Sequence, residues 1–200
     1  MTVPAAQDFN LATHFDAELL EVSDDPRSAY DYCRQGLQWV QTEMAKSEAE
    51  RDVQNLVNLM GNIAHQLKIL QHLDDALQTI EAAVALVELN HLGPRQWAIQ
   101  SLRLADVHRY RKEFTESRKL MEKVLQICES AEPAKDYKHF VLQHLGKLYF
   151  DQGENELALS FLQQALEIRK TQADASLILS TEMAIAATRA RLESKSDRSS

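Results

Sequence analysis

Seven histidines, two cysteines and several adjacent carboxylates are the side chains that could do chemistry here, by metal ligation, nucleophilic attack or proton transfer. Their spacing argues against each. His65 and His72 lie seven residues apart and could share a helix face, but a turn is expected to begin between them; His139 and His144, five apart, share a face poorly. Neither pair has the i, i+4 spacing with a flanking carboxylate that a zinc helix needs, so both read as structural and no metal is expected. Cys33 and Cys128 are too few and too far apart for a disulfide framework or a CxxC metal site, and are expected as half-buried thiols in a reducing compartment. Asp74 and Asp75 fall at an expected turn, where helix capping accounts for them. No GxGxxG, Walker-type phosphate loop or GxSxG is present, and none of the five glycines follows an expected strand. The expectation is therefore a protein with no catalytic residues and no cofactor, and not an enzyme.

Charge and composition narrow the partners. The net charge of −8 is uneven: residues 1–50 hold ten acidic side chains against Arg27, Arg34 and Lys46, while the other 150 residues are close to balanced. An acidic lobe repels phosphate backbones, so nucleic-acid binding is not expected. The opening MTVPAAQDFN lacks a basic and an apolar leader region, and no later run is long and apolar enough to span a bilayer. A soluble, cytoplasmic protein with no membrane partner is the expectation. With 44% hydrophobic residues the chain can bury one sizeable core or one continuous array.

The elements that would position any site emerge from a repeat. Small residues recur at Ala64, Ala105 and Gly146, and again at Ala76, Ser117 and Ala158, each step being 41 residues. Ile63, Leu104 and Leu145 keep the same stride, as do Ile80, Met121 and Leu162, and Val84, Leu125 and Leu166. Where two antiparallel helices cross closely, small residues let the backbones approach while larger ones fill the flanks. Gly146 costs about 1 kcal/mol against alanine in a helix, and a close crossing with Ala158 compensates it.

Leu142, Leu145, Gly146 and Tyr149, followed by Ala158 and Leu162, resemble the tetratricopeptide repeat pattern W-x2-L-G-x2-Y and A-x3-F. The first two units match it less well, and the 41-residue period is similar to that of kinesin light chains and bacterial peptide-sensing repeat proteins. The resemblance implies an all-α fold: a right-handed superhelical array of antiparallel helix pairs, or α-solenoid. The expected units are a degenerate N-terminal helical hairpin over 1–48, repeats over 49–90, 94–131 and 134–171, a capping helix over 174–193, and a disordered tail over 194–200. Asp24-Asp25-Pro26 would cap and open the second helix of the N-terminal hairpin, residues 10–22 would form the first, and Asp174 would cap the last helix of the chain.

In this family the first helix of each pair lines the concave surface. The resemblance therefore implies a groove holding Asn58, Asn62, His65 and Lys68 from the first unit. The second unit would add Arg103, Asp106, Arg109 and Tyr110, and the third Phe140, Gln143, His144 and Lys147. Gly61, Ile69, Ile99, Leu102, Phe150 and Asp151 fall on the same face. Lys68, Arg103, Arg109 and Lys147 outnumber Asp106 and Asp151, so the groove is expected to be locally basic, with amides for a peptide backbone and aromatic pockets for side chains. The expected partner is a protein or peptide, an acidic or C-terminal segment in particular, bound by a scaffold that is a monomer or homodimer. Alternatives are a ligand- or peptide-sensing regulator and a self-associating assembly subunit. Gly61, His65, Arg103, Phe140 and His144 do not match the carboxylate clamp of chaperone-tail binders, so that partner is not implied.

Overall fold

In the computed structural model, which describes residues 2–172 and 174–199, eight helices follow one another with a small β-hairpin ahead of them. The hairpin pairs β1 (Thr13–Phe15) antiparallel with β2 (Glu21–Ser23), Thr13 opposite Ser23. Then come α1 (Pro26–Met44), α2 (Val53–Ile69), α3 (Leu73–Leu89), α4 (Gly93–Tyr110), α5 (Phe114–Ser130), α6 (Lys138–Asp151), α7 (Asn155–Gln172) and α8 (Ala175–Ser199).

Three helical hairpins, α2–α3, α4–α5 and α6–α7, repeat at the expected stride, and the chemistry of their turns repeats with it. Gln71, Lys112 and Gly153 follow the first helix of each pair at 41-residue intervals and all take positive φ, at 63°, 62° and 77°. In each turn the next residue's N–H reaches back to the carbonyl five residues before it: His72 to Leu67, Glu113 to His108 and Glu154 to Tyr149, all at 2.9 Å. This is the left-handed helix terminator that glycine serves best. Only Gly153 supplies it without a side-chain penalty.

The small-residue pairs sit at the crossings. Ala64, Ala76, Ala105, Ser117 and Ala158 are fully buried. At Gly146 an added Cβ would lie 2.5 Å from Leu162 Cγ and 3.2 Å from the Ala158 carbonyl oxygen, so the missing side chain is what permits the α6–α7 contact. Ser117 serves as a small residue because its hydroxyl donates to the Ala105 carbonyl at 2.7 Å, leaving no buried polar atom unpaired.

Consecutive hairpins then stack. Helices α2, α4, α6 and α8 approach one another in series, while α3, α5 and α7 each bridge to the following hairpin and, among the described residues, make no comparable contact with one another. The array therefore curves toward the α2–α4–α6 side, as a right-handed solenoid. Helix α8 closes the far end with Thr181, Ala184, Ile185 and Thr188 buried along one stripe, and Asp174 accepts from the Ser176 and Leu177 N–H groups at 3.0 and 3.1 Å. It continues over 194–199, where a disordered tail was expected; Ser200 lies outside the described residues.

The N-terminus differs from expectation. Helix α1 begins where the capping signal placed it, with Asp25 accepting from the Ser28 N–H at 3.0 Å and Pro26 in the first turn. It packs on α2 through Gly36, where a Cβ would meet Ile63 at 2.6 Å. The helix expected over 10–22, however, is the β-hairpin. Asp16 forces the turn: its carboxylate accepts from the Glu18 and Leu20 N–H groups at 2.9 Å, a side-chain mimic of a backbone turn that competes with helix. Cys33 and Cys128 are fully rather than half buried, and burial pushes their thiols up to about 12 and about 11, which makes them inert packing residues.

Candidate functional site

The concave face is lined by α2, α4 and α6, and the chain's own β-hairpin lies in it. Leu19, at the hairpin tip with φ 58°, is 3% exposed and packs with Phe150, Leu162, Leu166 and Ile185 in the core of the last units. Burying one leucine contributes about 2 kcal/mol, enough to offset roughly 1–2 kcal/mol for the left-handed backbone of a non-glycine residue. Glu18 pairs with Arg191 of α8, and Arg191 also donates to the Phe150 carbonyl at 3.0 Å. The Glu21 N–H donates to the Tyr110 hydroxyl at 2.7 Å, and the Glu21 carboxylate lies 3.0 Å from Lys68 Nζ. Phe15 lies under the ammonium of Lys147, 3.9 Å from its ring centre.

Glu21 completes a chain of alternating charges that crosses three helices. Lys68 Nζ donates to Asp106 at 2.5 Å, Arg109 donates to Asp106 and to Asp151 at 2.8 Å each, and His144 Nδ1 meets Asp106 at 3.1 Å. Lys68, Asp106 and Arg109 are almost wholly buried. Burial alone would raise the Glu21 pKa, but the charges around it, Lys68 first and Lys147 with it, outweigh burial and hold the carboxylate well below its usual range. The same contest keeps Asp106 ionised through Lys68 and Arg109. Burial takes His65 down to about 4 and lowers His144, so both rings are neutral at pH 7.

Three cations on this face have no carboxylate within ion-pair distance among the described residues: Arg103, Lys147 and Arg169. Burial lowers all three, Lys147 to about 8 and Arg169 to about 10. They surround a partly open cavity of about 250 Å³ roofed by Phe15 and Glu21 of the hairpin.

Of the twelve expected groove residues, His65, Lys68, Arg103, Asp106, Phe140, Gln143, His144 and Lys147 line this one cavity. Arg109 and Tyr110 face a second depression on the other side of the hairpin, with Glu18 and Asp151. Asn58 and Asn62 stand at the edge, already accepting from Gln96 at 2.5 Å and from Arg103 at 2.9 Å. Several individual roles change. Lys68 and Arg109 are not free groove cations, because both are buried and neutralised by carboxylates. Phe150 is a core residue rather than a side-chain pocket. Gly61 is needed for packing: a Cβ there would lie 2.1 Å from Arg103 Nη1 and 2.2 Å from Gln100 Oε1, not against the N-terminal segment.

The hairpin, Tyr137 and Arg169 were not found by counting from the repeat. Thr13 and Val22 with Asp16 between them are a weak strand-turn signal. Arg169 lies on α7, a second helix of its pair, and reaches the concave side because the array ends there and α8 draws it in: it donates to the Leu177 carbonyl at 3.0 Å and to Thr181 at 2.6 Å. Among the described residues no cluster of three or more His, Cys, Asp or Glu side chains could hold a metal, and no helix is long and apolar enough to cross a membrane.

Residues 97–171 match the family model described as Tetratricopeptide repeat. None of the curated proteins matches the chain. Among solved structures, BtubC (BKLC) from P. vanneervenii is 18% identical with a TM-score of 0.64, over 85% of this chain and 67% of that one. The nearly identical TPR-like repeats of a candidate kinesin light chain from Podosopora anserina are 15% identical with a TM-score of 0.60, over 85% of this chain and 82% of theirs. The third unit's Leu-Gly-Tyr and Ala pattern falls within that match: the second and third units are similar to tetratricopeptide repeats, and the chain shares the helical-repeat fold of these kinesin light chain-type structures.

Proposed function

We propose that the protein is a non-enzymatic interaction scaffold whose concave groove receives an acidic, extended segment of a partner protein, in exchange for its own β-hairpin. One observation carries this reading: the groove already holds an acidic extended strand. Glu21 is gripped through its backbone N–H by the Tyr110 hydroxyl and through its carboxylate by Lys68, with Leu19 buried two residues before it. These are the two components of strand-like peptide recognition, main-chain hydrogen bonding for affinity and side-chain pockets for specificity. A partner with an apolar residue two positions before an acidic one would find the same contacts.

Occupancy in cis lowers the competent fraction and hence the apparent affinity for any segment in trans. A labelled peptide with the sequence of residues 12–24 is expected to bind full-length Leu19→Ala at least about tenfold more tightly than wild type, because the substitution loosens the resident hairpin alone. Equal binding to the two, or none to either, would refute the exchange. Arg109→Glu is unsuitable as a groove probe, since it would leave Asp106 and Asp151 without their cation and cost about 3–5 kcal/mol of stability.

A further inference from the structure

The cavity beneath the hairpin has the wrong balance of hydrogen-bonding groups to be a mere packing defect. Its two carboxylates, Glu21 and Asp106, are both engaged by Lys68. Around them stand donors with nothing to donate to. Lys147 is 3% exposed yet its Nζ makes no hydrogen bond or ion pair among the described residues; it contacts the Phe15 ring and feels the Glu21 and Asp106 carboxylates only from beyond pairing distance. Arg169 uses Nε on His139 and Nη1 on the α8 end, leaving Nη2 without a partner. The Tyr137 hydroxyl and the Gln143 side-chain amide group make no protein hydrogen bond among the described residues; the Gln143 Oε1, an acceptor, is enclosed and unpaired as well, so only the amide N–H groups of this 4% exposed residue count as donors. Arg103 meets only the neutral amide oxygens of Gln100 and Asn62. Counting Lys68, Arg103, Lys147 and Arg169 against Glu21 and Asp106, the lining carries two positive charges more than negative ones.

Buried donors and cations without acceptors are costly, because each gives up its hydration without a replacement partner. A ligand that brings oxygen acceptors and negative charge recovers that energy. The donors come from α4, the turn before α6, α6 itself and α7, so they converge from several walls on one small volume. Phe140 and Leu102 add apolar surface beside them. At about 250 Å³ the space lies below the roughly 300–1,000 Å³ typical of drug-sized sites, which selects a compact ligand.

We infer that this cavity is a binding site for a small organic polyanion, a di- or tricarboxylate or a phosphate ester, held by Arg103, Lys147 and Arg169 with Tyr137 and Gln143 as neutral donors. The site forms with the hairpin in place and does not depend on exchange with a partner segment. Phe15 and Glu21 form one wall, and the anion's charged groups would lie toward Arg103, Lys147 and Arg169, away from the Glu21 carboxylate.

The test titrates the full-length chain with citrate and, separately, with inorganic phosphate, against chloride at matched ionic strength, by calorimetry and thermal melting. Saturable binding of one equivalent is expected for at least one probe, with Kd below about 1 mM. Citrate alone points to carboxylates, phosphate alone to phosphate esters. Lys147→Met, a near-isosteric neutral replacement, is expected to weaken binding by about tenfold or more, and Tyr137→Phe, which removes only a hydroxyl, by about threefold to tenfold. Lys119→Met, on the exposed face of α5, should leave it unchanged. Should the melting shift for both probes equal that of chloride, or binding survive Lys147→Met and Tyr137→Phe within about twofold, the site does not exist.

Discussion

Individual side chains on the inner face are poised by burial more than by sequence neighbours, and His139 shows the consequence most clearly. Its ring is 3% exposed and lies 4.0 Å from that of Phe140. Arg169 Nε donates to its Nδ1 at 3.1 Å, so that nitrogen must be unprotonated. Burial, reinforced by Arg169, takes its pKa from 6.5 down to about 4, with Asp136 and Asp174 pulling weakly the other way. Between those two values the unfolded chain binds the proton and the folded chain does not, so stability is full above pH 6.5 and falls as pH drops toward 4. The loss from this one ring is on the order of 2 kcal/mol. Urea unfolding between pH 7 and 4.5 should show that slope, and His139→Gln, which keeps an acceptor for Arg169, should flatten it in part. His65 and His144 supply the remainder, while Glu21 and Asp106, whose pKa values are lowered, give way only at more acid pH.

The helical hairpins carry a second kind of prediction, because three copies of one turn use three different residues. Gln71, Lys112 and Gly153 adopt the same left-handed conformation, yet only the last is free of a Cβ clash. Lys112 is exposed, so replacing it removes strain without removing packing. Lys112→Gly should stabilise the protein by about 0.5–1 kcal/mol, and Gly153→Ala should destabilise it by about 1 kcal/mol. Chemical denaturation of the two variants checks both signs. A reversal at Lys112 would mean that lost backbone freedom outweighs relieved strain.

Across the whole array, the solenoid and the hairpin are separate cooperative layers. Neighbouring units share cores that run from α1 to α8, whereas the hairpin is held by Leu19, the Glu21 contacts and Arg191. Native-state amide exchange should reveal the division. The Asp24 N–H, bonded to the Ala12 carbonyl at 2.9 Å, and the Glu21 N–H, bonded to Tyr110, are expected to open at least about 2 kcal/mol below amides at the centres of α4 and α6. Equal protection would show that the hairpin unfolds only with the solenoid and cannot yield the groove to a partner.

The stride of 41 residues was legible because helix crossings repeat a local demand: a small residue wherever two backbones meet, at Ala64, Ala105 and Gly146 and at Ala76, Ser117 and Ala158. Caps at Asp25 and Asp174 and the pattern around Gly146 are local in the same sense, and the inward face followed from them by counting. Two things could not follow from local pattern. The hairpin over residues 13–23 depends on groove residues 47 and 89 positions downstream of Glu21, where Lys68 and Tyr110 reward an extended chain that its own neighbours barely favour. The division of the inward cations into neutralised and unneutralised depends on which carboxylates the superhelix carries within reach. Asp106 and Asp151 meet Arg109, Glu21 and Asp106 meet Lys68, and among the described residues none comes within ion-pair distance of Lys147 or Arg169, because charge pairing acts through space and not along the chain.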